Sequence, residues 1–155
     1  MKHWLVKSEP VVFSVDDLAN CPQQTRYWKH VRNYQARNFI RDDMQIGDRV
    51  FFYHSNTEIP AIVGLAEIAS EPYPDPEAFN PDSKYFDAKS DPENPRWFLV
   101  DIRLISKLDQ PISLKTIKQH TETLGDFPLI RRGNRLSVMP VTPDHWDYIM
   151  ALKAA

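Results

Sequence analysis

Cysteine occurs once in this chain, at position 21, and glycine only four times. A lone thiol excludes an internal disulfide and suits a reducing compartment, so a cytoplasmic location is expected. With so few glycines there is no P-loop and no G-x-G-x-x-G, the loops that cradle phosphate in nucleotide-binding folds. No apolar run approaches membrane-spanning length. The opening MKHWLVKSEP also lacks the long apolar segment and small-residue cleavage site of a signal peptide. Neither a membrane segment nor a leader is therefore expected. His3, His30, His54, His120 and His145 show no H-x-x-x-H spacing, and Cys21 belongs to no C-x-x-C, so no metal and no cofactor are expected.

Nucleophile chemistry has equally little support. Cys21 sits beside Pro22 at the end of a short helical pattern, the context of an incidental thiol. Ser8, His54 and an acid would make a triad on paper, but no G-x-S-x-G elbow presents the serine. No catalytic residue is assigned.

What is present is a polarised charge distribution on a chain of net charge −2. Between Leu18 and Arg41 there is no acid, against Arg26, Lys29, Arg32, Arg37 and Arg41; between Phe127 and Pro143 there is none, against Arg131, Arg132 and Arg135. The segment from Glu71 to Glu93 holds seven acids against Lys84 and Lys89. If the two basic segments meet in space, they make a local positive face on a nearly neutral protein. The stretch RYWKHVRNYQARNFIR (26–41) interleaves its cations with Tyr27, Trp28, Tyr34 and Phe39 and with Asn33, Gln35 and Asn38. Cations neutralise phosphate, aromatic faces stack on bases, and amides read hydrogen-bonding edges. The same composition also describes a solvated amphipathic helix behind a polar loop.

The periodicities describe an α+β fold: a small mixed barrel of five or six strands with short helices on its rim, in one domain spanning residues 1–155. His3–Ser8 alternates as a strand that Pro10 stops. Ser14 and Asp17 form a capping box, with Phe13 and Leu18 as its hydrophobic staple. Residues 26–31 suit either a short strand or an extended loop. Asn33 caps a helix running to about Arg41, with Ala36, Phe39 and Ile40 turned to the core. Further strands are expected over 49–55, 59–68, 96–107 and 135–141, with Gly64 at a bulge or close approach. Ser113 caps a short helix, and Thr142-Pro143-Asp144 starts the last one. Residues 71–95 carry six prolines and form a long acidic excursion, which Tyr85 and Phe86 pack back on the body. Trp4, Trp97 and Trp146 fall in core patterns. Trp28 lies in a basic, polar context that leaves it either packed or partly open. An open ring predicts that Trp28→Ala abolishes ligand binding with the melting temperature nearly unchanged.

The motifs WLVKSEP (4–10), VRNYQARNFIR (31–41), GDRVFFYHSN (47–56), VGLAEI (63–68), YFDAKS (85–90), PRW (95–97) and LSVMPVT (136–142), in this order, resemble the EVE domain. The resemblance covers nearly the whole chain. It implies a PUA-like mixed β pseudo-barrel related to YTH and ASCH domains. It also implies a pocket suited to a modified base, with modified cytosine in DNA the usual suggestion; a monomeric, non-enzymatic module that binds nucleic acid is accordingly expected. By position it implies a pocket built from Lys7, Ser8, Trp28, Asn33, Tyr34, Arg37, Asn38, Tyr53, His54, Ser55, Tyr85 and Ser137. The sugar–phosphate backbone would fall to Lys29, Arg32, Arg41, Arg131, Arg132 and Arg135. The family's W-D-G-V-R-N reads W-K-H-V-R-N at 28–33, so Lys29 and His30 replace an acid and a glycine. Two other functions fit the same residues: an enzyme or binder acting on a free nucleoside-like molecule, and a general RNA-binding PUA-type module.

Overall fold

The computed structural model describes residues 1–28 and 31–153; Lys29 and His30, expected at the site, lie outside the described residues. The chain runs β1 (His3–Ser8), α1 (Val15–Ala19), β2 (Thr25–Tyr27), α2 (Tyr34–Asn38), β3 (Arg49–His54) and β4 (Ala61–Ile68). It continues through β5 (Tyr73–Pro74), β6 (Phe98–Leu99), β7 (Asp101–Ser113), α3 (Leu114–Lys118), α4 (Thr121–Leu124), β8 (Val138–Val141) and α5 (Pro143–Lys153). Six strands form one curled half-barrel sheet in the order β2-β7-β4-β3-β1-β8, parallel at β1–β3 and otherwise antiparallel. β5 and β6 pair separately and bring the acidic excursion back to the body.

Side-chain alternation gives the sheet two apolar faces. Trp4, Val6, Val50, Phe52, Ala66 and Ile68 pack on one face with Val15 and Leu18 of α1 and Ala36 of α2. Leu5, Phe51, Tyr53 and Met139 pack on the other with Ile117, Leu124 and Ile149 from the later helices. Trp146 of α5 stacks on Phe51 at 3.8 Å between ring centroids, and the Thr142 hydroxyl accepts the His145 amide at the start of that helix.

The strand expected over 96–107 is instead broken at Val100 and restarts as β7, which runs on to Ser113. Its pairing is irregular. β4 shifts register against β3 at Val63, and β7 shifts against β4 between Leu104 and Ser106 and again between Lys107 and Ile112. The single extra residues at Val63 and Ile105 each turn the following side chains over to the opposite face. Leu104 therefore packs with Trp4, whereas Leu108 packs with Phe51. Gly64 lies at the first bulge, and a Cβ there would stand 3.0 Å from Val15 and 3.3 Å from the Ser106 carbonyl. The glycine is what lets α1 lie directly on the sheet.

The helix expected from Asn33 to Arg41 is α-helical only to Asn38. Its last part is a π turn over Phe39–Asp43, closed by the Met44 amide on the Phe39 carbonyl. Asn33 does cap it, accepting the Ala36 amide at 3.0 Å. Asp48, only 3% exposed, ties the N-terminus to this region. Its carboxylate accepts the Trp4 indole N–H and the Lys2 and Gln45 amides, each at 3.0 Å. A buried carboxylate surrounded by donors needs no cation.

Candidate nucleic-acid interface

β1 ends at the mouth of a cleft of about 580 Å³. The strand contributes Lys7 and Ser8, with Glu9 just beyond it; the following turn contributes Val12 and Phe13; β2 and its continuation contribute Arg26, Tyr27, Trp28 and Val31. Tyr85 comes from the acidic excursion and Ser137 from the approach to β8. The Lys7 amide bonded to the Ser137 carbonyl and the Trp28 amide bonded to the Val100 carbonyl hold the two sides of the sheet around the opening.

Aromatic rings and polar side chains both line the cleft. Trp28 is half-buried, edge-on to Phe52 at 5.6 Å. It packs against the core and also lines the cleft, so the nearly unchanged melting temperature expected of an open ring does not follow. Arg26 lies over Tyr27 at 4.4 Å and over Phe13 at 5.5 Å. Burial pushes the Lys7 amine below the usual lysine range.

Of the residues expected at the pocket, Lys7, Ser8, Trp28, Tyr85 and Ser137 share this cleft. The others do not line it. Tyr53 is 3% exposed in the opposite core layer, and burial pushes its hydroxyl up to about 12. His54 and Ser55 brace the framework: the His54 Nε2 accepts the Val15 amide at 3.0 Å, and the Ser55 amide donates to the Ser8 carbonyl. Tyr34 stacks on Trp97 at 4.8 Å. Arg37 lies over Tyr34 and donates to the Arg96 carbonyl and to Asn38. That cluster closes the end of the excursion against α2 and is why Tyr34, Arg37 and Asn38 are engaged elsewhere.

Arg32, expected on the backbone, is also diverted. Its guanidinium pairs with Asp75 at 2.9 Å, donates to the Tyr85 carbonyl at 2.9 Å and lies over the Tyr85 and Trp97 rings. Asp75 is 1% exposed and also accepts the Glu77 amide. The Trp97 indole N–H, donated to Asp87, holds that carboxyl below the usual range and secures the far end of the same loop. Arg41 is paired with its neighbour Asp42. Arg131, Arg132 and Arg135 are exposed and line a second recess of about 310 Å³ with Asn33 and Gln35. The two segments meet here through the neutral Asn33 and Gln35, and among the described residues the recess takes its positive charge from the second segment alone. Arg132 and Arg135 have no ionic or hydrogen-bonding partner among the described residues. Consecutive residues connect the two in the chain: Leu136 lines the recess and Ser137 the cleft.

The cleft residues not anticipated are Glu9, Val12, Phe13, Arg26, Tyr27 and Val31. Arg26 and Tyr27 are legible as part of the basic-aromatic stretch. The turn residues carry no sequence signal, because their place at the opening depends on how β1 pairs.

His54 gives a pH prediction. It accepts a hydrogen bond at Nε2, which requires the neutral ring, and burial lowers its pKa from 6.5. The unfolded chain binds the proton first, so the stabilisation is present above about pH 6.5 and is lost as pH falls toward the folded-state value. Melting temperature should fall between pH 7 and about pH 5.5. His54→Gln keeps an acceptor without titrating and should flatten that fall; an unchanged profile would remove His54 as its source. His3, also lowered by burial, adds a slope of the same sign in both proteins.

The EVE domain family model matches residues 2–152. Thymocyte nuclear protein 1 of Gallus gallus is 40% identical over 97% of this chain and 68% of its own length. The crystal structure of the human THYN1 protein in complex with 5-methylcytosine-containing DNA superposes with a TM-score of 0.90 at 37% identity, covering 100% of this chain and 99% of that one. A YTH domain of Zygosaccharomyces rouxii in complex with N6-methyladenosine RNA shares the fold alone, at a TM-score of 0.53 and 14% identity over 98% of this chain and 86% of that one. With a family model spanning almost its entire length, the chain belongs to the EVE domain family.

Proposed function

We propose that this protein is a non-catalytic reader that takes one modified base of a nucleic acid into the Trp28 cleft, modified cytosine in DNA being the preferred ligand. The observation that carries the reading is the pairing of two sites. One is a cleft of about 580 Å³ lined by Trp28, Tyr85, Lys7, Ser8 and Ser137; the other is a recess with three exposed arginines, linked to it in the chain at Leu136 and Ser137. The cleft volume falls within the roughly 300–1,000 Å³ of small-ligand pockets. Aromatic walls offset the few kcal/mol of unstacking that extrusion costs, and the polar side chains read the base edge. Arg131, Arg132 and Arg135 then serve the phosphates beside the extruded nucleotide, with Asn33 as a neutral neighbour. The human relative's complex with 5-methylcytosine-containing DNA supports the same ligand class.

The test is direct binding to a panel of DNA and RNA oligonucleotides differing only in one cytosine or adenine modification. Preference for a modified cytosine is the expected result, and equal binding to unmodified strands sinks the reading. Salt titration separates it from a free-nucleoside site, because each phosphate contact adds about −0.9 to the slope of log K against log[salt] on duplex DNA. Arg132→Ala and Arg135→Ala should each reduce that slope by about 1 without altering base preference. Tight binding of the free nucleoside, independent of salt, would favour the small-molecule reading instead.

A further inference from the structure

The turn between β1 and α1 holds two valines in water at the lip of the cleft. Val11 is 91% exposed and Val12 is 74% exposed, and Val12 lines the cleft. Isolated surface valines are ordinary features of any protein. These two differ in being held out by a framework. The Val12 and Phe13 amides both donate to the Glu9 carbonyl at 2.9 Å, and the Ser8 hydroxyl donates to the Phe13 carbonyl. Asn56 donates to the Glu9 carboxylate at 3.1 Å, and Phe13 packs back on the core. Pro10 fixes the backbone before Val11. The result is a rigid apolar tip one residue beyond the rim.

We propose that this tip is a wedge for double-stranded nucleic acid, with Val11 entering the base stack in the space that the extruded base vacates. The proposal rests on the base-reading function above and adds its means of opening a duplex. Extrusion leaves a gap of about one base-pair rise, 3.4 Å, between two apolar base faces. Apolar side chains wedged between base steps occupy the opened gap and kink the duplex. A β-branched side chain on a pinned turn loses little rotamer freedom when it is buried. Charge supports this occupant over an apolar protein surface. Lys7 and Arg26 line the same cleft against a single carboxylate, Glu9, so the cleft beneath the tip carries a net positive charge suited to phosphates.

The experiment compares wild type, Val11→Ser and Val11→Leu on three probes of one sequence with a single 5-methylcytosine: the duplex, the single strand, and a duplex with an abasic site opposite the modified base. Val11→Ser should weaken duplex binding about tenfold or more, the equivalent of losing one buried valine. It should leave the single strand within about twofold, as for a surface substitution. The abasic duplex should recover most of the loss, because extrusion there breaks no pair, and Val11→Leu should bind the duplex as wild type does. Unchanged duplex binding by Val11→Ser overturns the wedge and leaves the base-reading function standing. Equal loss on duplex and single strand also overturns it, by making Val11 part of the cleft. If wild type binds none of the three probes, the base-reading function fails and the wedge with it.

Discussion

Asp75→Ala should destabilise the protein by about 2–4 kcal/mol, below the full cost of breaking a buried ion pair because the Arg32 side chain left behind is 23% exposed. Asp75 is 1% exposed, so its loss leaves the Arg32 guanidinium without its carboxylate, and the Glu77 amide loses its acceptor as well. Urea unfolding measures the change, and a loss below about 1 kcal/mol would place the pair among weak surface bridges. Asp75→Asn separates the two roles: it keeps an acceptor for Glu77 but removes the charge. Replacing Arg32 and Asp75 together with apolar residues should cost less than either single change, because no charge is then stranded. Arg32 also holds the Tyr85 carbonyl. The single mutant should therefore lose ligand affinity along with stability, since Tyr85 forms a wall of the cleft.

Trp28→Ala should reduce binding to a modified oligonucleotide by about 1–3 kcal/mol, the range for losing one stacking platform. It should also cost stability. Full truncation of a buried aromatic costs about 3–5 kcal/mol; Trp28 is only half-buried, packed edge-on to Phe52, so about 1.5–3 kcal/mol is expected. Trp28→Phe divides the effects, retaining an aromatic face while giving up part of the contact. Undiminished binding by Trp28→Ala would remove this ring from the site, whatever happened to the melting temperature.

These effects follow from a division of labour within residues 26–41 that composition alone leaves open. As a run of letters, five cations in one acid-free stretch look equivalent. In the structure Arg26 lines the cleft, Arg32 and Arg37 anchor the acidic excursion, and Arg41 is matched to Asp42. The exposed arginines without such anchoring belong instead to the second basic segment, where Arg131, Arg132 and Arg135 line the recess. The excursion from Glu71 to Glu93, acidic and rich in proline, is a fixed wall because two of its carboxylates, Asp75 and Asp87, are bonded to Arg32 and Trp97.

Local features are legible in the order of residues alone. The capping box at Ser14 and Asp17 forms as expected: the Ser14 hydroxyl accepts the Asp17 amide at 3.1 Å and the Asp17 carboxylate accepts the Ser14 amide at 2.8 Å. So do the caps at Asn33 and Ser113 and the strand His3–Ser8 with its alternating faces. These rest on interactions between residues a few positions apart, so the succession of residue types specifies them, and the ordered motifs identify the family on the same footing. Whatever depends on distant pairing is not legible in this way. The Val63 and Ile105 irregularities decide which face Leu104 and Leu108 serve, and they exist only once β4 meets β3 and β7. Tyr53 belongs to the core and Lys7 to the cleft, although the two are directly paired across parallel strands. Strand position is the same for both; burial differs because only the folded sheet determines which neighbouring side chains cover each one.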